Sequence, residues 1–89
     1  MDKYEYVDTT MNKTIGNLFR LERERHNLTL EQLASKSGVS KQNIYYYEIG
    51  RNRIKLDKFL KLCEALELDP NEVFDKIAYE YFKMIKLSE

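Results

Sequence analysis

The sequence is 89 residues long, which leaves room for one domain, because an independent domain usually needs on the order of 100 residues. Apolar residues make up 43%, with three glycines and one proline, a composition that excludes a disordered or low-complexity chain. The formal net charge is zero, but that total hides an uneven distribution. Residues 1–12 carry Lys3 against Asp2, Glu5 and Asp8, and residues 64–89 carry three lysines against seven acids. Between Lys13 and Cys63, eleven basic residues face Glu22, Glu24, Glu31, Glu48 and Asp57. A basic middle between acidic ends permits an anionic partner without requiring one. Cys63 is alone, so no intrachain disulfide can form, and a cytoplasmic location is expected. The opening MDKYEYVDTT has no apolar segment of the signal-peptide type. No run in the sequence approaches the roughly 18 apolar residues of a spanning helix, so neither targeting nor membrane insertion is expected.

Glycine and proline are rare, and strand-like alternation is confined to the short stretch around Tyr4 and Tyr6, so the expected fold class is all-α. Residues 1–12 read as an N-terminal arm, 13–75 as the domain and 76–89 as a helical extension. A first helix is expected from about Lys13 to Arg25, with Ile15, Leu18, Phe19 and His26 on one face and Asn27 ending it. Thr29 and Gln32 have capping-box spacing, opening a second helix over Leu30–Ser37. Gly38 ends it, since glycine enters the left-handed region without steric cost. Ser40 caps a third helix, KQNIYYYEI, whose inner face is Ile44 and Tyr47 and which Gly50 stops. A basic loop, RNRIK, follows. Leu56, Phe59, Leu60, Cys63 and Leu66 recur at helical spacing and mark a fourth helix. Asp69, Pro70 and Glu72 read as cap, first residue and capping-box partner of a fifth.

Two short helices joined by Gly38, Val39 and Ser40 would set the second steeply against the first. A major groove about 12 Å wide admits one such helix, whose first turn meets base edges. Here that turn is Lys41, Gln42 and Asn43. Lysine suits the guanine acceptors, and glutamine or asparagine pairs bidentately with adenine. Tyr45 and Tyr46 are expected to point outward beside them, as DNA contacts or as a surface patch.

From Ile15 to Phe74 the sequence resembles the lambda-repressor-like, Cro and Xre class of helix-turn-helix regulators. Arg23, Leu28 and Thr29, Leu33 and Ala34, and the GVS of 38–40 carry the match. So do Ile44, Glu48, Gly50, Leu56, Phe59, Leu66 and the closing DPNEVF. The resemblance implies a five-helix domain that reads duplex DNA with its second and third helices. It implies that Lys41, Gln42, Asn43, Tyr45 and Tyr46 read bases, and that Thr29, Ser40, Arg51, Asn52, Arg53 and Lys55 hold phosphates. It also implies a structural ion pair between Arg23 and Glu48. The chain departs from the class at Leu30, where glutamine is frequent, at Ile49 and Ile54, and in its run of three tyrosines.

The tail adds Ile77, Tyr81, Phe82, Met84 and Ile85, too many large apolar groups for a solvated helix. They would pack on the first helix or form a homodimer interface through Tyr81, Phe82 and Ile85, and a dimer would read an inverted repeat. His26 and Cys63 have no metal or nucleophilic partner at a useful spacing. No cofactor, metal, small-molecule ligand or enzymatic role is expected. The function expected is a DNA-binding regulator, most simply a repressor; the alternative on the same fold is a protein-interaction module of antitoxin or adaptor type.

Overall fold

Asp2 starts the first helix, its carboxylate accepting from the Glu5 amide at 2.9 Å. In the computed structural model, which describes residues 2–89, α1 runs Lys3–Arg25, α2 Leu30–Ser37, α3 Lys41–Glu48, α4 Leu56–Ala65 and α5 Pro70–Leu87. No strand occurs among the described residues.

Of the expected N-terminal arm, Met1 lies outside the described residues and the rest forms the cap Asp2 and the first half of α1. The reason lies in Val7 and Met11, both buried, which extend the stripe of Thr14 and Leu18 by helical spacing. α1 and α5 pack together, and on α5 the half-buried Ile77, Tyr81, Met84 and Ile85 share one face. The helical extension expected at 76–89 continues α5 without a break as far as Leu87. A helix of 23 residues is about 34 Å long, and the molecule is elongated, 42 Å along its longest axis against 24 and 21 Å across.

The main core joins Phe19 of α1, Leu33 of α2, Val39 of the turn, Ile44 and Tyr47 of α3, Phe59, Leu62, Cys63 and Leu66 in and after α4, and Val73 of α5. Phe19 and Phe59 meet edge to face with centroids 5.7 Å apart, a favoured aromatic geometry. Two expected faces are corrected. His26 is exposed at the end of α1. On α4, Leu56 and Leu60 are exposed, and Leu62 and Ala65 are buried in their place. Burial also pushes the Cys63 thiol up to about 11, so it stays protonated and unreactive near neutral pH.

The stop signals act as the sequence suggests. Asn27, Gly38 and Gly50 take positive φ and close α1, α2 and α3; Glu67 does the same after α4, where the sequence offered no stop signal. Thr29 and Gln32 form the full capping box. At α5, Asp69 accepts from the Asn71 amide at 2.9 Å and Pro70 takes the first turn, without the box expected from Glu72.

Gly16 was given no role by the sequence, yet it fixes how α1 meets α3. A Cβ there would lie 1.9 Å from the Tyr47 carbonyl oxygen and 2.8 Å from that of Glu48. A Cβ on Gly50 would fall 2.6 Å from Lys13 Cγ and 2.9 Å from Lys13 Cα. Bare backbone at both positions lets α1 lie directly against the end of α3.

Candidate nucleic-acid interface

The unit formed by α2 and α3 is held by its own short-range bonds. Ser37 Oγ accepts from the Val39 amide at 3.1 Å, and Ser40 Oγ accepts from the Asn43 amide at 3.1 Å. Thr29 Oγ1 accepts from the Gln32 amide at 3.1 Å, while the Gln32 side chain accepts from the Thr29 amide at 2.8 Å. Thr29 and Ser40 are exposed, and a hydroxyl that accepts one bond keeps its own proton to donate. Both are therefore helix caps that can still donate outward.

α3 is anchored from behind. Arg23 grips Glu48 with two parallel bonds, Nε to Oε2 at 2.7 Å and Nη2 to Oε1 at 2.9 Å. Its remaining Nη1 donates to the Leu28 carbonyl at 2.8 Å. The Glu48 side chain is only 4% exposed and that of Arg23 14%. The hydrogen bond to Glu48 holds the guanidinium above its ordinary range. One side chain thus ties the end of α1, the loop before α2 and the last residue of α3.

With Ile44 and Tyr47 buried, the opposite side of α3 faces solvent. Lys41, Gln42 and Tyr45 are exposed, and Asn43 and Tyr46 are half-buried. Lys41 Nζ lies 2.6 Å from Glu31 Oε1 on α2, and this partner holds the Glu31 carboxyl below its ordinary range. Both groups are exposed, so solvent screens the pair and it adds little to stability. Gln42 Nε2 donates to the Tyr46 hydroxyl at 2.7 Å. Arg51 lies over the Tyr46 ring, 4.4 Å from its centroid.

The basic loop continues this surface. A depression of about 370 Å³ is lined by Asn43, Tyr47, Asn52, Arg53, Lys55 and Lys58, so one expected base reader and three expected phosphate contacts share its rim. Lys58, on the first turn of α4, is the cation that sequence reasoning missed. Its signal was the three-residue spacing from Lys55 at a helix start. Arg53 Nη2 also lies 3.6 Å from Asp8 of α1, a contact that exists because α1 begins so early.

The tail residues separate. Phe82 is exposed, whereas Tyr81 and Ile85 are half-buried, and the Tyr81 and Phe82 rings meet edge to face at 5.3 Å. Among the described residues no three or more His, Cys, Asp or Glu side chains come together as metal ligands, and none of the helices is long and apolar enough to cross a membrane.

A helix-turn-helix family profile matches residues 19–73, from the buried Phe19 of α1 to the buried Val73 of α5. The chain belongs to the helix-turn-helix family. It is a family of DNA-binding transcriptional regulators and not of enzymes. Over 71 residues the chain is 38% identical to the HTH-type transcriptional regulator SlrR of Bacillus subtilis (strain 168), covering 79% of this chain and 47% of that one. The chain thus spans about half the length of that relative. The crystal structure of the restriction-modification controller protein C.AhdI from Aeromonas hydrophila is similar, with a TM-score of 0.67 at 31% identity, over 70% of this chain and 94% of that one. The clp gene regulator ClgR from C. glutamicum aligns with a TM-score of 0.68 at 26% identity, over 76% of this chain and 88% of its own. The all-α, five-helix arrangement expected from the lambda-repressor-like resemblance is the one observed.

Proposed function

We propose that this chain is a sequence-specific, duplex-DNA-binding regulator working in the cytoplasm, a repressor that binds an inverted repeat as a homodimer. The observation that carries the DNA reading is the exposed outer side of α3, with Lys41, Gln42 and Asn43 in its first turn and Arg51, Arg53, Lys55 and Lys58 beside it. In this reading the first turn enters the major groove and the loop cations hold phosphates. Thr29 and Ser40 add neutral donors, and Asn52 lies on the same rim. A protein-interaction module would draw on the departures from the class at Leu30 and in the tyrosine run. Leu30, however, is half-buried against the core, Tyr47 is buried, and Tyr46 is engaged by Gln42 and Arg51.

Selection of bound sequences from random duplexes tests the reading. Gln42→Ala should relax preference at one or two positions per half-site, a loss of roughly 1–3 kcal/mol against the preferred sequence. Arg53→Ala should instead weaken all sequences alike and flatten the salt slope by about one. Binding of the parent chain that does not respond to salt overturns the proposal, as does the same affinity loss for both variants on every sequence.

The dimer in this proposal uses the exposed side of α5. Tyr79 and Phe82 are each 67% exposed, and Asp75 and Lys86 stand on the same face, giving the spacing of a coiled-coil seam over 75, 79, 82 and 86. The seam is self-complementary. In an antiparallel two-fold pairing, Asp75 meets the second copy's Lys86 and Tyr79 meets its Phe82. Phe82 therefore belongs to the interface, whereas Tyr81 and Ile85 mainly support α5 on α1. A seam this short gives weak association that operator DNA reinforces by linking two half-sites, about 34 Å apart. Phe82→Glu should give a folded monomer with much lower affinity for the full repeat than for a half-site. Lys86→Glu should weaken the dimer, and Asp75→Lys added to it should restore it. Light scattering decides: a Phe82→Glu protein as dimeric as its parent removes this interface.

A further inference from the structure

We infer that Tyr46 is a positioning residue for specificity: it orients the Gln42 amide and couples it to Arg51, so that Gln42, Tyr46 and Arg51 act as one unit. The inference rests on the DNA reading above and deepens it. Three contacts converge on this tyrosine. Its hydroxyl accepts from Gln42 Nε2 at 2.7 Å, one turn back on α3. Its ring carries the Arg51 guanidinium 4.4 Å from the centroid. Its carbonyl accepts from the Arg51 amide at 2.9 Å and from that of Asn52 at 3.4 Å. The side chain that closes the hydrogen bond to the reading turn is thus also the platform for the first cation of the loop.

The consequence for reading follows from amide chemistry. A glutamine side chain has two N–H donors and one carbonyl acceptor. The bidentate pair with adenine uses the carbonyl and one N–H. The second N–H is left over, and it can be the one that Tyr46 accepts, so the tyrosine bond is compatible with adenine pairing. A glutamine without this partner turns freely about its last torsion, presenting donors or the acceptor to whichever base it meets. Tyr46 removes that freedom before DNA arrives. Because its oxygen is occupied as an acceptor, the hydroxyl keeps its proton for an acceptor on the DNA. Arg51, stacked on the same ring, is held on a weakly hydrated planar surface that suits guanidinium better than ammonium.

The test separates the hydroxyl from the ring. Tyr46→Phe keeps an aromatic face for Arg51 and removes the acceptor for Gln42. Tyr46→Leu removes both. Binding is measured on the selected duplex, on duplexes changed at each single position, and against salt. For Tyr46→Phe, discrimination at the position read by Gln42 should fall about tenfold, with the loss concentrated there and not in the salt slope. Tyr46→Leu should in addition lower the slope by up to about one, as Arg51 loses its platform. In a double-variant cycle, Gln42→Ala with Tyr46→Phe should discriminate no worse than Gln42→Ala alone.

Additive effects of the two substitutions overturn the inference, as does a Tyr46→Phe loss spread evenly over all sequences. A parent chain that binds and discriminates while Tyr46→Phe keeps the same base preference overturns this inference and leaves the DNA reading standing. A parent chain with no salt-dependent duplex binding overturns both.

Discussion

A Gly16→Ala chain is expected to melt roughly 12 °C or more below its parent, the effect of about 3 kcal/mol in a domain of this size. Inside a helix, alanine is ordinarily the better residue by about 1 kcal/mol, so the sign of this change is itself informative. The new methyl carbon would stand 1.9 Å from the Tyr47 carbonyl oxygen, 2.8 Å from that of Glu48 and 3.0 Å from the Glu48 carbonyl carbon. These are backbone atoms at the end of α3, so no side-chain rotation relieves the overlap, and α1 and α3 must separate. Overpacking of this kind costs about 1–3 kcal/mol where neighbours can give, and more where they cannot. Gly38→Ala is the control. Its φ of +74° makes alanine strained, but nothing lies within 4 Å of the added atom, so the expected cost is only about 1 kcal/mol. Equal thermal midpoints for the two variants would remove the steric account of Gly16.

The features that were legible in the sequence share a short range. The bounds of α2, the caps at Thr29 and Ser40 and the stops at Gly38 and Gly50 each depend on residues within one turn. The start of α1 was misread because Val7 and Met11 gain their burial in a molecule where α5, more than sixty residues away in sequence, lies against the same helix. Gly16 looks like a weak point in a helix until α3 is placed against it. α4 was misread differently: Leu56, Phe59, Leu60, Leu62, Cys63, Ala65 and Leu66 crowd so densely that several stripes fit one periodicity, and docking alone selects Leu62 and Ala65 over Leu56 and Leu60. At the candidate interface, residue types and spacing placed Lys41, Gln42 and Asn43 in the first turn of α3, and α3 does begin there. The links from Glu31 to Lys41, from Gln42 through Tyr46 to Arg51, and from Asp8 to Arg53 were not legible, because each depends on the angle between elements or on a side-chain conformation.

Arg23→Ala is expected to destabilise the fold by about 3–5 kcal/mol, because it leaves the carboxylate of Glu48 buried without a cation. The pair joins residues 25 positions apart, so no local pattern announces it; the family resemblance did. Its geometry now supports the assignment. Both carboxylate oxygens are engaged by the planar fork, at 2.7 and 2.9 Å, which adds hydrogen-bond strength to the charge attraction. The third contact, to the Leu28 carbonyl at 2.8 Å, satisfies backbone in the loop between α1 and α2, so the substitution also leaves that acceptor unpaired. Arg23→Lys should recover part of the loss, since an ammonium keeps the charge but cannot make two parallel bonds and reach Leu28 as well. Replacing both partners by apolar residues, as in Arg23→Met with Glu48→Leu, should be far milder than Arg23→Ala alone, because the desolvated charge disappears with its partner. Thermal melting of the four chains orders these costs. If Arg23→Ala melts with its parent, the buried charge is not what this arginine compensates; if the double substitution is as damaging as the single one, packing rather than charge is what the pair supplies.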